Sequence, residues 1–194
     1  MRKRLTSRRH KALCRSATAM VLLGLLILSG QCTLTPTQSL RDLEDRLGTG
    51  RVEVLRQETD WHWNLQNDYS ACTVQLAGNE NAVLLAAHGL YLRGGGWRSI
   101  PWDTTVIDCS GNRALYAGYD GACLFGQVKD PSAAVLYVEG PGANRATLPE
   151  STWITRNGCR FFFLPIDKEK RGGPLAVAVC DGGGVELDRR QLVG

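Results

Sequence analysis

From residue 51 to the end of the chain, no stretch carries the 3.6-residue period of a long amphipathic helix. Short runs of β-forming residues alternate with glycine-rich turns instead. The runs span 51–57, 72–76, 82–87, 104–108, 114–119, 123–128, 134–139, 152–156, 159–164, 175–180 and 185–188. Between them lie turn sequences such as Ser110-Gly111-Asn112, Asp120-Gly121, Asp130-Pro131, Gly140-Pro141-Gly142 and Asp181-Gly182-Gly183-Gly184. Asn157-Gly158 between two such runs is the strongest hairpin signal, because both residues tolerate the positive φ of a type I′ turn. Many short strands at this spacing predict an all-β sandwich or barrel.

Strand alternation assigns faces in the C-terminal half. In 175–180 the larger residues Leu175, Val177 and Val179 share one face. In 159–164, Cys159, Phe161 and Phe163 share a face, with Phe162 on the other. One core is expected to hold Phe161, Phe163, Val177 and Val179 together with Val135 or Leu136 and Trp153. Phe162 implies a strand covered on both sides or an exposed aromatic.

The N-terminal third differs in kind. The chain carries 23 Lys+Arg against 19 Asp+Glu. Seven of those bases (Arg2, Lys3, Arg4, Arg8, Arg9, Lys11, Arg15) lie before residue 33, where there is no acid. The rest holds 16 bases and 19 acids, so the folded part is mildly acidic and a nucleic-acid partner is not expected. Residues 17–30 are apolar apart from Thr18 and Ser29, and no charge falls between Arg15 and Arg41. A basic region followed by an apolar stretch is the pattern of an export signal or anchor, with the basic end left in the cytoplasm. Leu28-Ser29-Gly30-Gln31-Cys32 resembles a bacterial lipobox with one residue, Gln31, inserted before the cysteine. The organisation expected is a basic cytoplasmic region at 1–15, a signal or anchor segment forming an N-terminal hydrophobic helix at 16–34, a linker with one short helix at 35–50, and an extracytoplasmic β-domain at 51–194. A division of that domain into two small β lobes would fall near 121–133. Within the linker, Leu40, Leu43 and Leu47 recur at helical spacing, with Ser39 as the expected cap and Gly48 or Gly50 as the stop. The helix is expected to act as a stalk.

The β region resembles a loose group of small exported proteins of unknown function from Gram-positive bacteria. The residues that carry this are Gly96-Trp97, the segment Leu124-Phe125-Gly126-Gln127-Val128-Lys129-Asp130-Pro131 leading into Val135-Leu136-Tyr137-Val138-Glu139, Cys159-Arg160-Phe161-Phe162-Phe163, and the closing Cys180-Asp181-Gly182-Gly183-Gly184-Val185. The last pair looks like the final hairpin of an Ig-like sandwich. The resemblance implies an exported Ig-like β-domain and no particular activity.

Asp108-Cys109-Ser110-Gly111, with Tyr116 beyond and Tyr91 before Gly94-Gly95, resembles the nucleophile segment of NlpC/P60 peptidoglycan endopeptidases. Such an enzyme needs a base to deprotonate the thiol and a group to orient that base. In that family the histidine follows the cysteine; here His10, His62 and His88 all precede Cys109. The helix that should begin at the cysteine is also missing, so the segment reads as a Ser-Gly-Asn turn between two strands.

Five cysteines lie beyond Cys32: Cys72, Cys109, Cys123, Cys159 and Cys180. Bridges between Cys159 and Cys180 or between Cys109 and Cys123 are the expected pairings, set against cysteines that are simply small buried residues. Asp60-Trp61-His62-Trp63, with Trp97 and Trp102, is either a ligand-stacking patch or strand core. Asp181, Glu186 and Asp188 flank a glycine turn without EF-hand spacing. No catalytic, cofactor-binding or metal-binding set emerges. The expectation is therefore a non-enzymatic, cofactor-free binding or interaction module. It would be tethered to the cell membrane by its N-terminal segment, face outward, and meet a cell-surface protein or cell-wall partner. A degenerate cysteine hydrolase of cell-wall peptides using Cys109 is the alternative.

Overall fold

The computed structural model describes residues 2–28, 33–59, 69–91, 96–121, 123–140, 145–147, 152–166 and 175–193. Among the described residues two helices, α1 (Arg2–Leu28) and α2 (Pro36–Leu47), precede twelve strands. These are β1 (Glu53–Thr59), β2 (Cys72–Gly78), β3 (Ala82–Tyr91), β4 (Gly96–Asp108), β5 (Leu115–Tyr119), β6 (Cys123–Val128), β7 (Ala133–Glu139), β8 (Arg145–Thr147), β9 (Trp153–Arg156), β10 (Cys159–Pro165), β11 (Leu175–Asp181) and β12 (Glu186–Val193). The all-β expectation holds for the described residues after α2.

The strands form three four-stranded sheets with antiparallel pairing. The first is the meander β1-β2-β3-β4, the second has the order β5-β6-β10-β9 and the third β12-β11-β7-β8. After β4 the chain lays down hairpins alternately in the second and third sheets, so those two are woven together. β9 and β10 are joined by the Asn157-Gly158 turn, with φ of 49° and 78° and Arg156 opposite Cys159.

The layers stack in a fixed order. Val74, Leu76, Val83, Leu85 and Ala87 of the first sheet pack on Phe125, Phe161 and Phe163 of the second. The opposite face of the second sheet gives Leu124, Val128 and Phe162 to a separate core with Leu136, Val177 and Val179 of the third. Phe162 therefore belongs to a strand covered on both sides. The single core expected for Phe161, Phe163, Val177 and Val179 is divided in two, one on each side of the middle sheet. Trp153 and Leu136 go with the valines.

The outer face of the first sheet is covered by α2. Leu40 and Leu43 pack on Val52, Ala77, Ala82, Leu84 and Ala86. The helix is thus an integral layer and not a free stalk. Its N-cap is Thr35, not Ser39: the Thr35 hydroxyl accepts from Gln38 N while the Gln38 side chain reaches back to the Thr35 N–H. Ser39 is inside the helix and buried. Gly48 closes the helix in the left-handed conformation, with φ 67°. The Glu44 carboxylate is almost wholly buried, yet it is met by Arg41, Arg51 and the Val52 N–H at 2.8 Å.

α1 is helical through Leu28, but its first half is basic. Among the described residues no helix is long and apolar enough to cross a membrane. Residues 29–32 of the segment expected to signal or anchor, 16–34, lie outside the described residues. Leu13, Met20, Val21, Leu22 and Leu25 all lie exposed on α1. The lipobox-like cysteine, Cys32, lies outside the described residues.

Candidate functional site

Cys109 immediately follows β4 and sits at the start of the connection that carries the chain from the first sheet to the second. It is fully buried. Burial pushes its thiol up to about 12, against the opposing pull of the Lys129 ammonium. A thiol so placed is not a ready thiolate. No helix starts here: Ser110 N binds the Asp108 carboxylate at 2.9 Å and the chain turns into β5. Tyr116 is used locally, its hydroxyl accepting from Arg113 N at 3.1 Å while Lys129 lies over its ring. His88, the described histidine that could have served as a base, is sealed between β3 and α2. His62 and Gly94-Gly95 lie outside the described residues. The environment of Cys109 is that of a core residue in a turn between strands.

The other sequence candidates separate in space. The Asp181 carboxylate accepts from Gly183 N and Val185 N, both at 2.9 Å, and so shapes its own turn. Glu186 pairs with Arg189, and Asp188 with Arg113 and Leu115 N. These three acids have different partners and do not converge. Trp97 is held at the start of β4 by the Thr33 carbonyl, and the segment Asp60–Trp63 lies outside the described residues. Among the six described cysteines none is bridged. Cys180 is on β11 in the third sheet and Cys159 on β10 in the second, so the pairing expected between them is not made. Cys109 and Cys123 are both unbridged within the first interlayer core.

What the fold does gather is a row of hollows along one end of the stack. The first, of about 330 Å³, lies between the β2–β3 turn and the β9–β10 hairpin; Arg51, Glu53, Glu80, Asn81, Arg156 and Asn157 line it. Glu80 and Cys159 also line a second hollow with Gln127 and Lys129. Lys129 in turn borders a shallow third depression with Arg113, Asp130 and Asp188. The β2–β3 turn is rigid because Asn79 uses its whole side chain. Its Oδ1 accepts from Asn81 N and Ala82 N at 2.8 Å, and its Nδ2 donates to the Thr49 and Arg51 carbonyls. Across the hollow, Asn157 donates to Glu53 at 3.0 Å and Arg156 stands 3.7 Å from the same carboxylate. The fully buried Gln127 donates to the Asn79 carbonyl at 3.3 Å. Its Oε1 has no partner among the described residues.

The row is therefore polar and of mixed charge, built on backbone that the turns hold still. Sequence reasoning missed it because its members come from five separate turns. The only local trace was the polar cluster Asn79-Glu80-Asn81 between two strand runs. No family model, no curated protein and no solved structure matches the chain.

Proposed function

We propose that the chain is an exported β-domain, held at the outer face of the cell membrane through its N-terminal segment, that works as a non-enzymatic binding module for a cell-surface or cell-wall partner. The observation that carries this reading is the row of polar hollows running from Arg51 to Asp188. It is open and carries both charge signs on rigid turns, as a docking surface for a polar partner requires. The burial of Cys109, which pushes its thiol pKa up, favours this reading over the cysteine-hydrolase alternative. The basic segment before Arg15 and the exposed apolar side chains of α1 supply a membrane-facing end of opposite character to the domain. The Ig-like reading enters only as a general sandwich: β11 and β12 form the closing hairpin, within a stack of three sheets where an Ig domain has two.

Two measurements test this. Protease added to intact cells should remove the β-domain while leaving a membrane-retained N-terminal fragment. Purified protein should also be retained by isolated envelopes of its own cells, and Arg51→Glu with Arg156→Glu should weaken that retention at least tenfold. A domain protected from protease in intact cells, or retention indifferent to the charge reversals, would overturn the reading.

A further inference from the structure

We infer that Cys109 and Cys159 are partners in a disulfide that clamps the first sheet to the second at the end where the hollows lie. The inference rests on the exported reading for its oxidising compartment and on geometry for its pairing.

Four separate observations place the two residues near each other. Both point into the core between the first and second sheets, Cys109 buried there and Cys159 packed against it. Cys109 N donates to the Asn81 carbonyl at 2.7 Å, and Asn81 shares the first hollow with Cys159. The Lys129 ammonium donates to the Cys109 carbonyl, and Lys129 shares the second hollow with Cys159. Finally, a charge on Cys159 would act directly on the Cys109 thiol. Cys109 also lies where the backbone leaves the first sheet for the second. Cys123 and Cys180 are placed differently. Cys123 lies at the opposite end of β6, opposed to Pro165, and Cys180 belongs to the third sheet.

The chemistry is thiol–disulfide exchange with a small-molecule disulfide such as oxidised glutathione. Cys159, half-buried and bordering two hollows, attacks one sulfur of the oxidant and releases one reduced glutathione. The Cys109 sulfur then displaces the second glutathione from the mixed disulfide. Two protons and two electrons leave with the two glutathione thiols, and one S–S bond replaces the other. The high thiol pKa of Cys109 makes the closing step the slow one, and the neighbouring Lys129 ammonium eases it. The bond closes a loop spanning residues 109–159, which contains all of β5–β9.

The experiment is peptide mapping by mass spectrometry of the full-length protein, alkylated without reductant. One sample comes directly from its cells; another is equilibrated in a glutathione redox buffer. The expected result is a Cys109–Cys159 linked peptide in both, lost in Cys159→Ala, where the Cys109 thiol becomes alkylated after denaturation. Reductant should lower the urea midpoint of the native sequence and leave that of Cys159→Ala unchanged. Both thiols alkylated after equilibration in oxidised glutathione, or either one linked to a different cysteine, would overturn the pairing. A link that forms in the glutathione buffer but is missing from the cell-derived sample would uphold the pairing and overturn the exported reading instead. Cys109→Ser serves as a second variant: it should free Cys159 to alkylation in the folded protein.

Discussion

The imidazole Nδ1 of His88 lies 3.1 Å from the Ser39 hydroxyl, and both residues are buried between β3 and α2. The other ring nitrogen has no partner among the described residues. Burial holds the imidazole pKa down at about 4, well below its ordinary 6.5. The unfolded chain therefore takes up a proton as pH falls through 6.5, and the native chain refuses it until pH 4. Stability present above pH 6.5 is lost across that window, by up to about 3 kcal/mol. Urea midpoints at pH 7.5, 5.5 and 4.5 should show the decline, and His88→Gln should flatten it by about that amount. Equal slopes for the two proteins would defeat the assignment.

Glu44 anchors the other end of α2. Its buried carboxylate serves Arg41, Arg51 and the Val52 N–H at once, so removing it leaves a buried backbone donor without an acceptor and returns two cations to solvent. Glu44→Ala should cost about 1–3 kcal/mol, chiefly for the buried Val52 N–H left without an acceptor, because the Arg51 side chain is 71% exposed and that of Arg41 35%, and both can turn to water. Glu44→Gln, which keeps an acceptor for Val52, should cost less. Chemical denaturation measures both; a loss under about 1 kcal/mol for the alanine variant would show that α2 is not docked this way.

Phe161 and Phe162 point to opposite faces of β10, and each is buried in a different core. Alanine at either position should cost about 3–5 kcal/mol. In a two-sheet sandwich one of the two substitutions would be nearly neutral. Comparable losses in paired denaturation experiments are the signature of three stacked sheets.

Gly126 has ordinary backbone angles, so its role is space. A Cβ there would fall on the Tyr116 carbonyl oxygen and within 2.7 Å of the Phe162 ring. Backbone on one side leaves little room to yield. Gly126→Ala should therefore destabilise by about 3 kcal/mol or more, at the upper end of overpacking effects. Gly158→Ala, which meets open space but keeps a φ of 78°, should cost only about 1 kcal/mol. Thermal unfolding of the two variants should rank them in that order; the reverse order would refute the steric account.

Most strands were legible because their signal is local. Cys123–Val128 was read at its exact bounds, and Asn157-Gly158 formed the turn its residues demand. Other features escaped, among them the second half of β3 and most of β12, which were read only as 82–87 and 185–188. The strand Arg145–Thr147 is too short to show alternation, and the first half of β4 carries Pro101 and polar residues that read as a connection. The cap of α2 was misplaced by four residues. Ser39 and Thr35 are both good capping types, and only Thr35 has Gln38 three residues on to complete the reciprocal pair.

Alternation along a strand states which side chains share a face and nothing about what that face will meet. The sequence by itself determined an all-β body, a helical 36–47 segment and a basic, apolar N-terminus, because these rest on backbone preference and on spacing within one element. Only the tertiary structure decided that the second sheet is covered twice, that α2 closes the outer face of the first, and that Cys109 meets the surroundings of Cys159 while Cys180 is carried away to another layer. These outcomes depend on apolar faces finding one another across long loops. Burial is non-directional, so its partners are settled by which surfaces the connections can bring together.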